Sequence, residues 1–128
     1  MNYETLIKNH PNTKEIWESF ERGQFVLPVC TDCNKSHWYP RPFCPHCYSQ
    51  NIVLKESKGD GAIHAASYMR KAKVPYIVAT VTLDDGPTIL TNLVGCEWQE
   101  NLIGKRVRLA LENLNGLDRK MPVFYLAD

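Results

Sequence analysis

The chain has 128 residues, 44% of them hydrophobic, and a formal net charge of +1. That length supports one small globular unit with a single real core and, at most, a satellite module. The balanced charge gives no drive toward nucleic acid or an anionic membrane surface, and no apolar run approaches the ~20 residues of a membrane span.

Residues 1–23 are expected to form an N-terminal helical arm. Met1 to Pro11 is polar and carries no apolar leader core, which points to the cytoplasm. Met1 to His10 reads as a loose arm or a short helix. Asn12 is a suitable N-cap for a second helix, with Glu15 completing a capping box. Ile16, Trp17 and Phe20 then form an apolar stripe, and Gly23 stands where a glycine C-cap belongs. The stripe packs on the rest of the chain or docks on a partner.

Residues 24–57 read as a zinc ribbon. Gln24 to Val29 alternates, with Phe25, Leu27 and Val29 on one face, and Pro28 marks an edge strand. Cys30-Thr31-Asp32-Cys33 follows, then a ten-residue spacer, then Cys44-Pro45-His46-Cys47. Each Cys-x-x-Cys pair can form a tight knuckle with both sulfurs aimed at one ion, and four thiolates make the tetrahedral shell that Zn2+ prefers. Iron would accept the same four sulfurs. A shell closed by four cysteines leaves no open position, so the metal is structural, and His37 and His46 are expected outside it. The cysteine count is five, which argues against a disulfide framework. Lys35 to Tyr39 is a further strand candidate, Pro40-Arg41-Pro42 stiffens the approach to the second knuckle, and Ile52 to Ser57 returns as a strand.

Residues 58–128 read as a five-stranded barrel of the OB-fold type. The strands are Ala62 to Met69, Tyr76 to Leu83, Thr88 to Leu93, Lys105 to Leu111 (Val107, Leu109 and Leu111 inward) and Met121 to Leu126. Lys58 to Gly61 and Asp84-Asp85-Gly86-Pro87 are turns, and Arg70 to Pro75 is a basic loop. Gly95 to Gly104 is a connector with room for one helical turn at Trp98, and Leu114 to Lys120 is a polar connection. The overall class is mostly β: helix, ribbon, barrel. Lone groups do not make a catalytic set. Cys96 lacks a local base, His64 lacks a carboxylate or serine partner, and Asp84 and Asp85 belong to a turn. Arg106 and Arg108 mark the outer face of an alternating strand.

Several stretches together resemble the DUF35 family. They are Pro40-Arg41-Pro42-Phe43-Cys44-Pro45-His46-Cys47, Gly59-Asp60-Gly61, Pro75 to Pro87 and Thr91 to Gly95. The resemblance implies a rubredoxin-like zinc ribbon joined to an OB-fold, acting as an accessory subunit without activity of its own. It implies a hetero-oligomer with a thiolase-fold catalytic subunit, of which the benzoylsuccinyl-CoA thiolase type is one setting, or with an acyl-CoA hydratase or aldolase. It also implies a coenzyme A thioester as a shared ligand. On that reading the basic loop Arg70, Lys71 and Lys73, with Tyr68, and Trp38 and Arg41 of the ribbon are candidate contacts for the phosphates and adenine of CoA. The alternative class is a single-stranded nucleic-acid binder, since OB-folds bind oligonucleotides; the charge balance argues against it.

Overall fold

The helical arm starts with α1 (Tyr3–Asn9), anchored by the buried Leu6, and a 3-10 turn at Pro11–Thr13 leads to α2 (Lys14–Glu21). The computed structural model describes residues 3–113 and 119–127, so most of the expected connection Leu114 to Lys120 lies outside the described residues. Helix α2 buries Ile16, Trp17, Ser19 and Phe20, the stripe of an amphipathic helix. It begins later than expected. The N-cap is Thr13 rather than Asn12, so Glu15 cannot close a capping box. The proline at the head of the 3-10 turn fixes the backbone there and displaces the helix start. The Thr13 hydroxyl donates to the His10 carbonyl at 2.7 Å and accepts from the Trp17 indole at 3.1 Å. At the other end the Gly23 N–H bonds the Phe20 carbonyl and the Gln24 N–H bonds the Ser19 carbonyl, each at 2.9 Å. This is the expected glycine closure.

Strands β1 (Val26–Cys30) and β2 (Ile52–Glu56) pair antiparallel, from Val26 opposite Glu56 to Cys30 opposite Ile52. The Pro28 carbonyl faces His37 and not β2, so the missing Pro28 N–H costs no bond between β1 and β2. The alternation expected for β1 is absent. Phe25, Val26 and Leu27 are all buried and Val29 is half-buried, because this strand is covered on both faces. The expected strand Lys35 to Tyr39 reduces to one bridge, Val29 to Ser36, plus the His37 N–H on the Pro28 carbonyl at 3.2 Å. Beyond it Trp38 leaves the ladder to join an aromatic cluster, with ring centroids 6.3 Å from Phe20 and 6.5 Å from Phe25. The half-buried ring gains aromatic contacts there in place of further ladder bonds at an edge.

The chain divides into two compact units. Met1–Ser57 with Leu111–Met121 forms the first, and Lys58–Ala110 with Pro122–Asp128 the second. In the first, Arg119 lies over the Trp17 ring at 5.3 Å and the Lys120 N–H donates to Glu21 Oε1.

The second unit is a closed barrel built from β3 (Asp60–Met69), β4 (Tyr76–Leu83), β5 (Thr88–Leu93), β6 (Arg106–Glu112) and β7 (Met121–Leu126), in the order β3-β4-β5-β7-β6. A bulge between Ile63 and Ala65 bends β3, which pairs with β4 along its length and with β6 at Asp60 to Ala62. Gly61 is required at that crossing: a Cβ would sit 2.6 Å from the Thr82 carbonyl oxygen. Strands β4 and β5 alternate cleanly, burying Ile77, Ala79, Val81, Leu83, Ile89 and Leu93. In β6 only Val107 is fully buried; Leu109 and Leu111 are half-buried. The connector 95–104 forms no helical turn. Trp98 instead stacks on Tyr68, with centroids 5.8 Å apart and planes 9° apart. Among the described residues no helix is long and apolar enough to cross a membrane.

Candidate metal centre

The two Cys-x-x-Cys turns are near copies. In the first, the Asn34 N–H reaches the Cys30 carbonyl at 2.8 Å and the Cys30 N–H reaches the Lys35 carbonyl at 3.0 Å. In the second, the Tyr48 N–H reaches the Cys44 carbonyl at 2.8 Å and the Cys44 N–H reaches the Ser49 carbonyl at 2.7 Å. In both, the residue after the second cysteine is left-handed, with φ 61° at Asn34 and 65° at Tyr48. Asparagine accepts that conformation readily; tyrosine does so at a cost.

These turns bring the Sγ atoms of Cys30, Cys33, Cys44 and Cys47 within 4.8 Å of one another. Two separations between the knuckles are 3.6 Å, from Cys30 to Cys47, and 3.7 Å, from Cys33 to Cys44. A tetrahedron with metal–sulfur bonds of ~2.3 Å has edges of ~3.8 Å, whereas a disulfide needs ~2.05 Å. The sulfurs are therefore spaced to share an ion and not to bond each other. Their electrostatics agree. The Cys33 amide draws the Cys30 thiol down to about 7. The Ser49 amide also pulls on Cys47, yet burial and the thiols of Cys30, Cys33 and Cys44 outweigh it and push Cys47 up to about 12. Thiolates held this close repel one another, and a divalent cation shared among them would offset that repulsion.

Around the sulfurs, the His46 N–H donates to Cys44 Sγ at 3.3 Å, while the His46 side chain is exposed. His37 is only 3% exposed, and burial holds its imidazole below the ordinary value, helped by His46 and Arg41. Neither imidazole joins the sulfur cluster. One group was not anticipated from the sequence. Asp32, inside the first knuckle, accepts hydrogen bonds from the Ser49 hydroxyl and from Asn51 Nδ2, which keeps its carboxyl below the ordinary value. Nothing in the spacing announces this contact, because it depends on how the chain returns after the second knuckle.

The candidate CoA contacts fall in both units. Trp38 belongs to the aromatic cluster of the first, edge-on to Tyr39 at 5.6 Å. Arg41 is exposed on the wall of a shallow groove of about 230 Å3, with Glu15, Pro28, Gln50 and Leu54. In the second unit Tyr68 has one face covered by Trp98, and Arg70, Lys71 and Lys73 are exposed on the β3–β4 turn beside the 40%-exposed Tyr76. Hairpin geometry thus gathers Tyr68 and the three cations at one end of the barrel.

The remaining lone groups have structural surroundings. Arg106 donates two hydrogen bonds to Asp84, at 2.9 and 2.6 Å, so this turn residue is also an ion-pair partner. Cys96 is half-buried, and burial pushes its thiol up, away from nucleophilic character. His64 is exposed at the β3 bulge.

Residues 17–53 match the profile of the ChsH2 rubredoxin-like zinc ribbon domain, and residues 55–112 that of the ChsH2 C-terminal OB-fold domain. The chain is 29% identical over 117 residues to a DUF35 domain-containing scaffold protein of Pyrococcus furiosus, covering 85% of each. It is 31% identical over 98 residues to a probable enoyl-CoA hydratase alpha subunit of Thermomonospora curvata, but spans only 31% of that relative's length. Among solved structures, a chain of an Ltp2-ChsH2(DUF35) aldolase superposes with a TM-score of 0.78 at 28% identity, over 91% of this chain and 95% of that one. A DUF35-family protein from Sulfolobus solfataricus shares the fold, with a TM-score of 0.63 at 12% identity, over 98% and 96% of the two chains.

Proposed function

The chain belongs to the DUF35 family of zinc-ribbon and OB-fold proteins, and from that premise we propose that it is a non-catalytic scaffold subunit of an enzyme acting on acyl-CoA thioesters. Cys30, Cys33, Cys44 and Cys47 would hold one Zn2+. The observation that carries this reading is the convergence of four sulfurs within 4.8 Å. Four thiolates complete the shell of a zinc ion, so what the ion supplies is folding energy, with no coordination site left for a substrate.

The catalytic partner is a separate protein, and the complex is a hetero-oligomer. A partner of hydratase or aldolase type is supported by relatives that carry those names. A thiolase-fold partner, of the benzoylsuccinyl-CoA thiolase kind, is the other branch of the same reading. The acyl-CoA is shared: Arg70, Lys71 and Lys73 present three exposed cations suited to the CoA phosphates, with Tyr68 beside them. Trp38 is the weakest of the candidate contacts, because it is half-buried and its ring already meets Phe20, Phe25 and Tyr39.

Purification of the tagged chain from its native cells tests the reading. One catalytic subunit is expected to co-purify in fixed stoichiometry, with about one zinc per chain. The isolated chain is expected to turn over no acyl-CoA. An active, partner-free chain would sink the proposal. Within the complex, replacing Arg70, Lys71 and Lys73 by Glu should raise KM for the acyl-CoA and leave assembly intact.

A further inference from the structure

Two knuckles that share one ion are linked by a ten-residue spacer rich in proline, and the spacer alone does not hold them in register. The β1–β2 pairing, which ends with Cys30 opposite Ile52, contributes, and so do hydrogen bonds on the far side of the site. The Ser49 carbonyl accepts from the Cys44 N–H at 2.7 Å, which ties it to the second knuckle. The Asn51 carbonyl accepts from the Thr31 N–H at 2.9 Å and from the Thr31 hydroxyl at 3.2 Å, which ties it to the first. The Ser49 hydroxyl also accepts from the Asn51 N–H at 3.0 Å. One acceptor closes this ring. Asp32 Oδ2 accepts hydrogen bonds from the Ser49 hydroxyl and, at 3.0 Å, from Asn51 Nδ2. The ring runs through both knuckles and never uses the Asp32 carboxylate on a sulfur.

The geometry points to Asp32 as a positioning residue for the metal: its carboxylate latches the segment after the second knuckle onto the first knuckle, and so governs how tightly the four sulfurs retain the ion. This rests on the zinc site proposed above. The residue type suits the task. An ionised acceptor makes stronger hydrogen bonds than a neutral one, and the short side chain leaves little freedom to lose. Asparagine keeps one oxygen acceptor without the charge; alanine keeps nothing. Toward Asp32 both the Ser49 hydroxyl and Asn51 Nδ2 donate, so neither can replace its acceptor.

Zinc release from the loaded full-length chain to excess 4-(2-pyridylazo)resorcinol, followed by absorbance, reads the effect. Asp32→Ala, which removes two hydrogen bonds, should release zinc about tenfold faster than the unaltered chain. Asp32→Asn should fall between. The Co2+-substituted forms should keep the same thiolate charge-transfer bands, since the ligands do not change. A release rate for Asp32→Ala within twofold of the unaltered chain overturns the inference. If that variant does not fold, Ser49→Ala and Asn51→Ala each remove one donor and should each speed release about threefold; no change in either also overturns it. An unaltered chain that holds no metal would instead overturn the zinc site itself, so the two failures are distinct.

Discussion

The barrel encloses Ile63, Val81, Leu83, Ile89 and Val107, each no more than 2% exposed, inside five strands that close on themselves. The first unit has a sheet of only two strands, an aromatic cluster on α2 and four sulfurs. The contrast is one of driving force. Burial of aliphatic side chains scales with area and suits a closed sheet that leaves few edges. A two-stranded sheet with long loops buries little by itself, so a structural metal would add to what the aromatic cluster on α2 supplies. The expectation is one unit whose integrity depends on metal and another whose integrity rests on packing.

The harshest way to break the comparison is to remove a ligand. Cys44→Ala should abolish zinc binding and with it apparent binding energy on the order of 10 kcal/mol. Hydrogen exchange read by mass spectrometry should show residues 24–57 losing protection while β3 to β5 keep theirs. Equal loss in both units would refute separate driving forces. Packing is attacked from the other side by Ile89→Ala, at a side chain with no exposed surface. That change should lower barrel stability by about 2–5 kcal/mol in urea titration, with the zinc content unaltered.

A smaller effect with the opposite sign sharpens the ribbon's side. Tyr48 is left-handed and its side chain is 75% exposed, so it gives up backbone comfort for little burial. Tyr48→Gly should stabilise the zinc-loaded ribbon by about 1 kcal/mol and slow zinc release, and should leave the barrel unmoved. A loss of stability would mean that the ring contact with Phe43, 6.2 Å between centroids, outweighs the backbone term.

The smallest effect concerns acid. Hydrogen bonds from Arg106 hold the Asp84 carboxyl below its ordinary 3.8. A lowered carboxyl binds fewer protons folded than unfolded, so its contribution to stability is complete above that value and disappears as pH falls through the lower folded one. Both side chains are more than half exposed, so the effect is slight. Asp84→Asn should flatten this part of the barrel's acid dependence between about pH 5 and pH 2. An unchanged slope would show the pair to be inert.

Most of the fold was legible because its signals are local. Period-two alternation in Tyr76 to Leu83 and Thr88 to Leu93 coincides with β4 and β5 at both ends. The turn between them, Asp84-Asp85-Gly86-Pro87, is equally local. The illegible parts involve competition between distant groups. Lys35 to Tyr39 has strand-like residues, yet Trp38 is taken by Phe20 and Phe25. Asn12 has capping chemistry, yet the 3-10 turn places Thr13 at the cap. Trp98 stands in a segment with room for a helical turn, yet stacks on a strand residue thirty positions earlier, Tyr68.

By itself the sequence determined the two knuckles and the strands of the barrel, because Cys-x-x-Cys spacing and alternation act over a few residues. Only the tertiary structure decided that Cys30 comes to Cys47 and Cys33 to Cys44, that Asp32 meets Ser49 and Asn51, and that Trp38 joins the rings of Phe20 and Phe25. Each of these depends on where the chain returns after a loop, and closing a loop is a property of the whole fold, not of any short window of residues.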